Sequence, residues 1–171
     1  MACALTQGYS LSCRDSAGGI KSVYFIEFDN VSGVTASSGT VSAIGKANGG
    51  RFYKYNLQRG TSSFEEAYND SAENGTSFHV QTLSIILNKM QAATSQEIKL
   101  LAQNRLMAVV EDRNGKYWLL GQENGLERSG GRAGSGTAMG DRNGYELTFT
   151  TDNVAPINEV NSGIIAGLTT P

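Results

Sequence analysis

The stretch 61–90, TSSFEEAYNDSAENGTSFHVQTLSIILNKM, decides the fold. Asn74-Gly75 near its middle suits a type I′ turn, because both residues tolerate the positive φ that such a turn requires. β-Formers flank it on both sides, so the stretch reads as a strand, a turn and a long second strand. On the second strand Phe78 and Val80 share one face, but the apolar phase then slips to Leu83, Ile85 and Leu87. Such a slip fits a bulge, or a strand whose two halves pack differently. A strand of roughly twelve residues would reach about 40 Å at ~3.4 Å per residue, which is long for a small domain.

Upstream, IKSVYFIEFDNV (20–31) places Val23, Phe25 and Glu27 on one side and Tyr24, Ile26 and Phe28 on the other. Both sides are largely apolar, as in a strand covered on both faces or lying at an interface. VSGVTASSGTVSAIG (31–45) reads as a hairpin turning at Ser38-Gly39, and RFYKYNLQ (51–58) alternates as a further strand. Downstream, Thr94 with Glu97 makes a capping-box pattern, and Ile98, Leu101 and Ala102 mark one face of a helix over about 95–104. RLMAVVED (105–112) and YWLLG (117–121) read as strands joined across Asn114-Gly115. YELTFT (145–150) alternates with Tyr145, Leu147 and Phe149 inward. The chain is expected to form a single β-rich domain over 1–171, with an N-terminal arm at about 1–19. Its tail at about 155–171 is weakly patterned and suited to packing on a neighbour.

The tetrapeptide Asp-Arg-Asn-Gly occurs at 112–115 and again at 141–144, each time before a strand. Neither copy repeats carboxylates at the odd-numbered positions of a calcium loop, and no Glu closes a twelve-residue span. Both are expected to be turns, with Asn-Gly supplying positive φ.

The 171 residues suit one domain, and 14 basic against 16 acidic residues give a net charge of −2. A nucleic-acid glove would show a basic excess, so none is expected. The 21 glycines fall among turns and have no collagen-like period. Cys3 and Cys13 read as free thiols in a reducing compartment, with one local bridge as the alternative. No basic-then-apolar leader opens the sequence and its apolar runs are short, so a soluble protein made in the cytosol, with no membrane partner, is expected.

Catalytic patterns do not assemble. GGRAGSGTAMGDRNG (130–144) has no Lys-Ser/Thr after its glycines, and Gly134-x-Gly136 is followed by Gly140, one residue late for a dinucleotide fingerprint. It reads as a flexible or extended loop. His79, the only histidine, lacks a Gly-x-Ser-x-Gly elbow and reads as a buried or interface residue. Two cysteines and a distant histidine are a poor zinc set. Glu65 and Glu66 are neighbours on a strand, so they point to opposite faces rather than across one cleft, and with Asp70 and Glu73 they read as a solvated or lumen-facing hairpin. No catalytic residue, cofactor or metal is expected, and the chain is not read as an enzyme.

ACALTQGYSLSCRDSAGGIKSVYFIEFDNV (2–31) and YWLLGQENGLERSGGRAGSGTAMGDRNGYELTFT (117–150) resemble structural proteins of tailed phages that infect Bacteroidota. The order of elements is similar to that of phage tail tube proteins. The resemblance implies a mainly β, tail-tube-like β-sandwich or half-barrel with one flanking helix. It further implies a virion structural protein made in the host bacterial cytoplasm, whose rings, six subunits each, stack into a conduit for genome ejection. Its partners would be itself, other tail proteins, and DNA that passes through the lumen without specific binding. On this view the hairpin at 61–90 reaches a neighbour through Phe64, Tyr68, Phe78, Val80, Leu83 and Ile85, and the Gly-rich loop at 129–144 orders only on stacking. Strands that are apolar on both faces would be covered by copies of the chain. Competing readings are a tail hub, terminator or connector ring and, from another class, a glycan-binding adhesive module that would use its one tryptophan, Trp118.

Overall fold

A computed structural model describes Leu5 and residues 7–170. The chain is mainly β. Its elements are β1 (Ile20–Glu27), β2 (Val31–Ser37), β3 (Thr40–Lys46), β4 (Tyr53–Asn56), β5 (Ser63–Ser71), β6 (Thr76–Asn88), α1 (Ala92–Gln103), β7 (Leu106–Asp112), β8 (Tyr117–Leu120), β9 (Glu127–Gly134), β10 (Gly144–Asn153), β11 (Asn158–Val160) and the one-turn α2 (Ile165–Leu168). They form a seven-stranded sheet, ordered β2-β3-β11-β8-β7-β1-β4, and a four-stranded sheet, ordered β5-β6-β10-β9.

The two sheets close on each other as a β-sandwich. Val23, Phe25, Ala108 and Val110 from the large sheet meet Leu83, Ile85, Leu147 and Phe149 from the small one, and Ile98 and Leu101 of α1 complete the cluster. The rings of Phe25 and Phe149 lie 5.3 Å apart at this seam. The expected alternation of Tyr145, Leu147 and Phe149 is observed, because every second residue of β10 faces the seam.

The opposite face of the large sheet carries a second apolar cluster. Tyr24, Ile26, Met107, Val109 and Leu119 lie under Phe52, Val160, Ile165 and Leu168. The two-sided apolarity of 20–31 is therefore satisfied within one chain, and the argument that copies must cover it is corrected. The tail supplies the cover. Far from packing on a neighbour, it inserts β11 between β3 and β8, parallel to the first and antiparallel to the second, and lays α2 across the sheet. Backbone bonds hold it there: Phe52 N–H donates to the Leu168 carbonyl at 3.0 Å, and the Lys46 ammonium reaches the Gly167 carbonyl at 3.0 Å.

The hairpins follow their turn residues. Ser38 and Gly39 both adopt positive φ between β2 and β3, and Gly115 does so between β7 and β8. There Asp112 Oδ1 accepts from the Asn114 and Lys116 N–H groups at 2.8 and 2.9 Å, so the first Asp-Arg-Asn-Gly is an Asx-braced turn. The second is not a positive-φ turn, which corrects the expectation. Gly144 opens β10, and a side chain there would collide with the Leu87 carbonyl, so glycine is needed for close approach. Asp141 instead braces the loop before it, accepting from Thr137 and Ala138 N–H at 2.9 and 2.7 Å. Those two bonds hold its carboxyl below the usual range.

Two further expectations need correction. α1 starts at Ala92, three residues before the predicted start, so Thr94 lies inside it and no capping box forms. Tyr145 of β10 does that work: its hydroxyl donates to the Gln91 carbonyl, lies 2.6 Å from Ser95 Oγ and accepts from Gln91 N–H at 3.2 Å. The Gly-rich stretch is half strand. Glu127–Gly134 pairs with β10 inside a single chain, so this part of 129–144 needs no stacking to order.

Candidate assembly surface

β6 is 13 residues long, as the length of the apolar pattern suggested. Among the described residues it pairs without a shift to β5 on one side and β10 on the other, so the slip in apolar phase marks no bulge. Its halves pack differently. Register places Gln81, Leu83 and Ile85 toward the seam, with Phe78, Val80, Thr82 and Ser84 on the opposite face.

This division separates the six residues expected at the interface. Leu83 and Ile85 are fully buried in the chain's own core, and Phe64, opposite Leu83, packs partly against it. These three serve the fold of the protomer, which corrects their assignment to a surface. Val80 is half-buried on the outer face. Tyr68, 66% exposed, and Phe78, 40% exposed, project from opposite faces near the hairpin tip. β10 ends opposite His79, so only the tip from Asn69 to Phe78 extends beyond the sandwich.

A polar latch fixes the base of that tip, and sequence reasoning missed it. Gln81 donates to Glu66 Oε1 at 3.2 Å and accepts from Gly121 N–H at 3.0 Å. Glu66 Oε1 also accepts from Ile157 N–H at 2.8 Å. Glu66 is thus turned inward against the tail rather than solvated, while Glu65 points out, as their adjacency required. In the next row Tyr68 meets the edge of His79, ring centroids 5.0 Å apart. The alternation of Gln81 with Leu83 and Ile85 was the available signal that the buried face continues past the apolar core.

The outer face of the four-stranded sheet is partly exposed along its length. Following the register, β6 contributes Phe78, Val80, Thr82, Ser84 and Ile86, and β10 contributes Glu146, Thr148, Thr150 and Asp152. β5 adds Glu65 and Asn69, and β9 adds Glu127 and Arg132. Four carboxylates (Glu65, Glu127, Glu146, Asp152) thus face one guanidinium, Arg132. Arg132 pairs with Glu146, whose carboxyl its hydrogen bond and charge hold below the usual range.

Both borders of this sheet are open. Among the described residues, the outer edges of β5 and β9 pair with no strand. Their characters are opposite: β5 exposes Glu65 and Asp70, while β9 carries Arg128 and Arg132 beside Glu127.

No cluster of three or more metal-binding His, Cys, Asp or Glu residues occurs among the described residues, and no described helix is long and apolar enough to cross a membrane. Trp118 is half-buried against the core and donates its indole N–H to Asp112 at 3.2 Å, so its ring is not displayed over a groove. Cys13 is an exposed free thiol, and Cys3 lies outside the described residues.

No protein-family model and no curated protein matches the chain. Among solved structures it is similar to a chain of the anti-feeding prophage baseplate, determined by cryo-EM and symmetrised six-fold. The two share 12% identity at a TM-score of 0.41, over 86% of this chain and 97% of that one. At that distance, function has to be argued from this chain's own surface.

Proposed function

We propose that the chain is a virion structural protein, a tail tube subunit rather than an enzyme, whose copies join side by side into rings that stack around a passage for DNA. The observation that carries this reading is the four-stranded sheet: one open, mostly polar face bounded by two edges that are unpaired among the described residues and opposite in charge. An exposed strand edge is a template for pairing, and monomers usually blunt such edges. Here the acidic edge of β5 complements the basic edge of β9 of the next copy. A head-to-tail contact of this kind closes into a ring when its rotation permits, and six copies follow from the resemblance to tail tube proteins.

The joined sheets would line the inside. Their outer faces present Ser, Thr and Asn around Phe78, Val80 and Ile86, with an excess of carboxylate, a lining that repels phosphate and lets DNA slide, whereas a basic lining would retain it. The hairpin tip then projects along the axis toward the next ring.

Negative-stain images of the purified protein test the reading. Stacked annuli are expected, isolated rings would point to a hub or connector, and uniform small particles at high concentration would overturn it. A charge exchange tests the edges. Glu65→Lys with Asp70→Lys places cations against Arg128 and Arg132 of the neighbour and is expected to abolish rings, since like charges across an interface cost several kcal/mol. Adding Arg128→Glu and Arg132→Glu to the same chain should restore them.

A further inference from the structure

We propose that residues 7–13 of one copy add as a strand in the groove between α1 and β4 of a second copy. This rests on the assembly reading above and deepens it by naming two segments that meet. The sequence LTQGYSLSC (5–13) has the pattern of a half-buried strand broken once by Gln7: Leu5, Gln7, Tyr9, Leu11 and Cys13 fall on one side, and Thr6, Gly8, Ser10 and Ser12 on the other. Yet residues 7–13 pair with nothing among the described residues, and Tyr9 and Leu11 are 89% and 63% exposed. The segment is a one-faced strand without a sheet.

The groove offers the complementary surface. It encloses about 380 Å³ between α1, β4 and the end of β1, with Phe25, Tyr55 and Leu101 at its base and Leu100 on its wall. β4 pairs only with β1 among the described residues, so its other edge offers free backbone groups. An added strand gains affinity from main-chain hydrogen bonds and specificity from alternate side chains seated in pockets. Tyr9 and Leu11 supply such side chains at i and i+2. Glu27 and Glu97 outnumber Lys54 among the charged residues that line the groove, and Arg14, followed by Asp15, comes three residues after Leu11, so a cation of the arm meets a net acidic surface.

The arm's own groove is out of reach in a useful geometry. Ala17 is clamped at the far end of β1, where its N–H donates to Asn114 Oδ1 at 2.7 Å and its carbonyl accepts from Asn114 Nδ2 at 3.0 Å. From Ile20 to Ile26 the strand runs about 20 Å at ~3.3 Å per residue. Leu11 is six residues from Ala17, a maximum span of about 20 Å, so a chain doubling back reaches the near end of the groove, where Tyr55 pairs with Val23, but arrives taut at the far end by Ile26 and cannot lay Tyr9 and Leu11 along its whole length. A second copy has no such limit.

Cysteine trapping tests this. In a Cys3→Ser, Cys13→Ser background, a tagged chain carrying Leu11→Cys is mixed with an untagged chain carrying Leu100→Cys and mildly oxidised. Both positions are exposed, so folding is preserved. A thiol-sensitive tagged–untagged dimer is expected, at least tenfold above a control pair in which Met139→Cys replaces Leu100→Cys. A yield equal to the control overturns the proposal, as does a separate chain carrying both Leu11→Cys and Leu100→Cys that cross-links only within itself. Running the same pair in the Glu65→Lys, Asp70→Lys background separates the two readings. Cross-links without rings in every background would sink the tube and keep the arm contact, while rings without cross-links would do the reverse.

Discussion

The two sheets of this molecule solve the same burial problem in opposite ways. The seven-stranded sheet is greasy on both faces and hides both inside one chain, beneath the small sheet with α1 and beneath the tail. The four-stranded sheet buries one face and leaves the other polar and open, with both edges unpaired among the described residues. Apolar residues on both sides of a strand are thus a poor guide to a partner. Among the described residues, the surfaces this chain leaves open are one sheet face, strand edges and the segment 7–13.

The sharpest way to break this contrast is to remove the tail's cover. A chain ending at Ala155 loses β11 from the middle of the large sheet and uncovers Val41, Val109 and Leu119. Val160, Ile165 and Leu168 are all buried, and at about 1.5–3 kcal/mol each their loss rivals the ~5–15 kcal/mol that holds a whole domain together. The shortened chain is expected to lose cooperative unfolding by chemical denaturation and its near-ultraviolet circular dichroism. An unchanged midpoint would mean that the second face is covered by something other than the tail.

That cover also marks where sequence reading stops. The turns at Ser38-Gly39, Asn74-Gly75 and Asn114-Gly115 were legible because positive φ is a local demand that Gly39, Gly75 and Gly115 answer locally; Asn74 does not share it, so the turn at 74–75 is not the type I′ expected. The apolar face of α1 was legible for the same kind of reason, since its period is written in neighbouring residues. β11 was not: three residues, Asn158–Val160, acquire strand structure only from β3 and β8, more than a hundred and about forty positions away. β9 was missed because Gly-rich composition argues against a strand, and only β10 alongside it overrides that preference. Of the six interface residues, alternation identified which were apolar. Which of them faced the seam depended on β10 and the large sheet, and that placement returned Phe64, Leu83 and Ile85 to the core.

A smaller effect sharpens the contrast through charge. The large sheet holds one nearly buried carboxylate, Glu111, which accepts from Lys21 Nζ at 2.7 Å and Ser22 Oγ at 2.6 Å. Burial pushes its carboxyl up, but the bonds from Lys21 and Ser22, with the Lys21 charge, outweigh it and hold it below the usual range of a glutamate. A carboxylate depressed in the folded state contributes stability that is present above its unfolded pKa and lost as pH falls through the folded one. Wild-type stability should therefore decline below about pH 4.5, and Glu111→Gln should flatten that part of the curve. At neutral pH the variant should lose about 2 kcal/mol, the scale of a charge-assisted hydrogen bond. Urea midpoints measured from pH 3 to 7 check both.

The smallest change in stability should come with a total change in behaviour. Phe78 lies on the outer face opposite Asn69, past the last residue that β10 supports, and touches neither apolar cluster. Phe78→Asp removes a partly exposed ring from the projecting tip, so folding should shift by no more than about 0.5 kcal/mol. If the tip inserts its apolar side chain into the next ring, a carboxylate at that contact is desolvated without a partner and the stack should fail. Urea midpoints should match wild type, while images show protomers or single rings and no tubes. Leu83→Asp on the same strand is the contrasting case, since it places the charge in the core and should abolish folding itself. Tubes of normal length from Phe78→Asp would remove the tip from assembly and leave the strand edges and the arm to account for it.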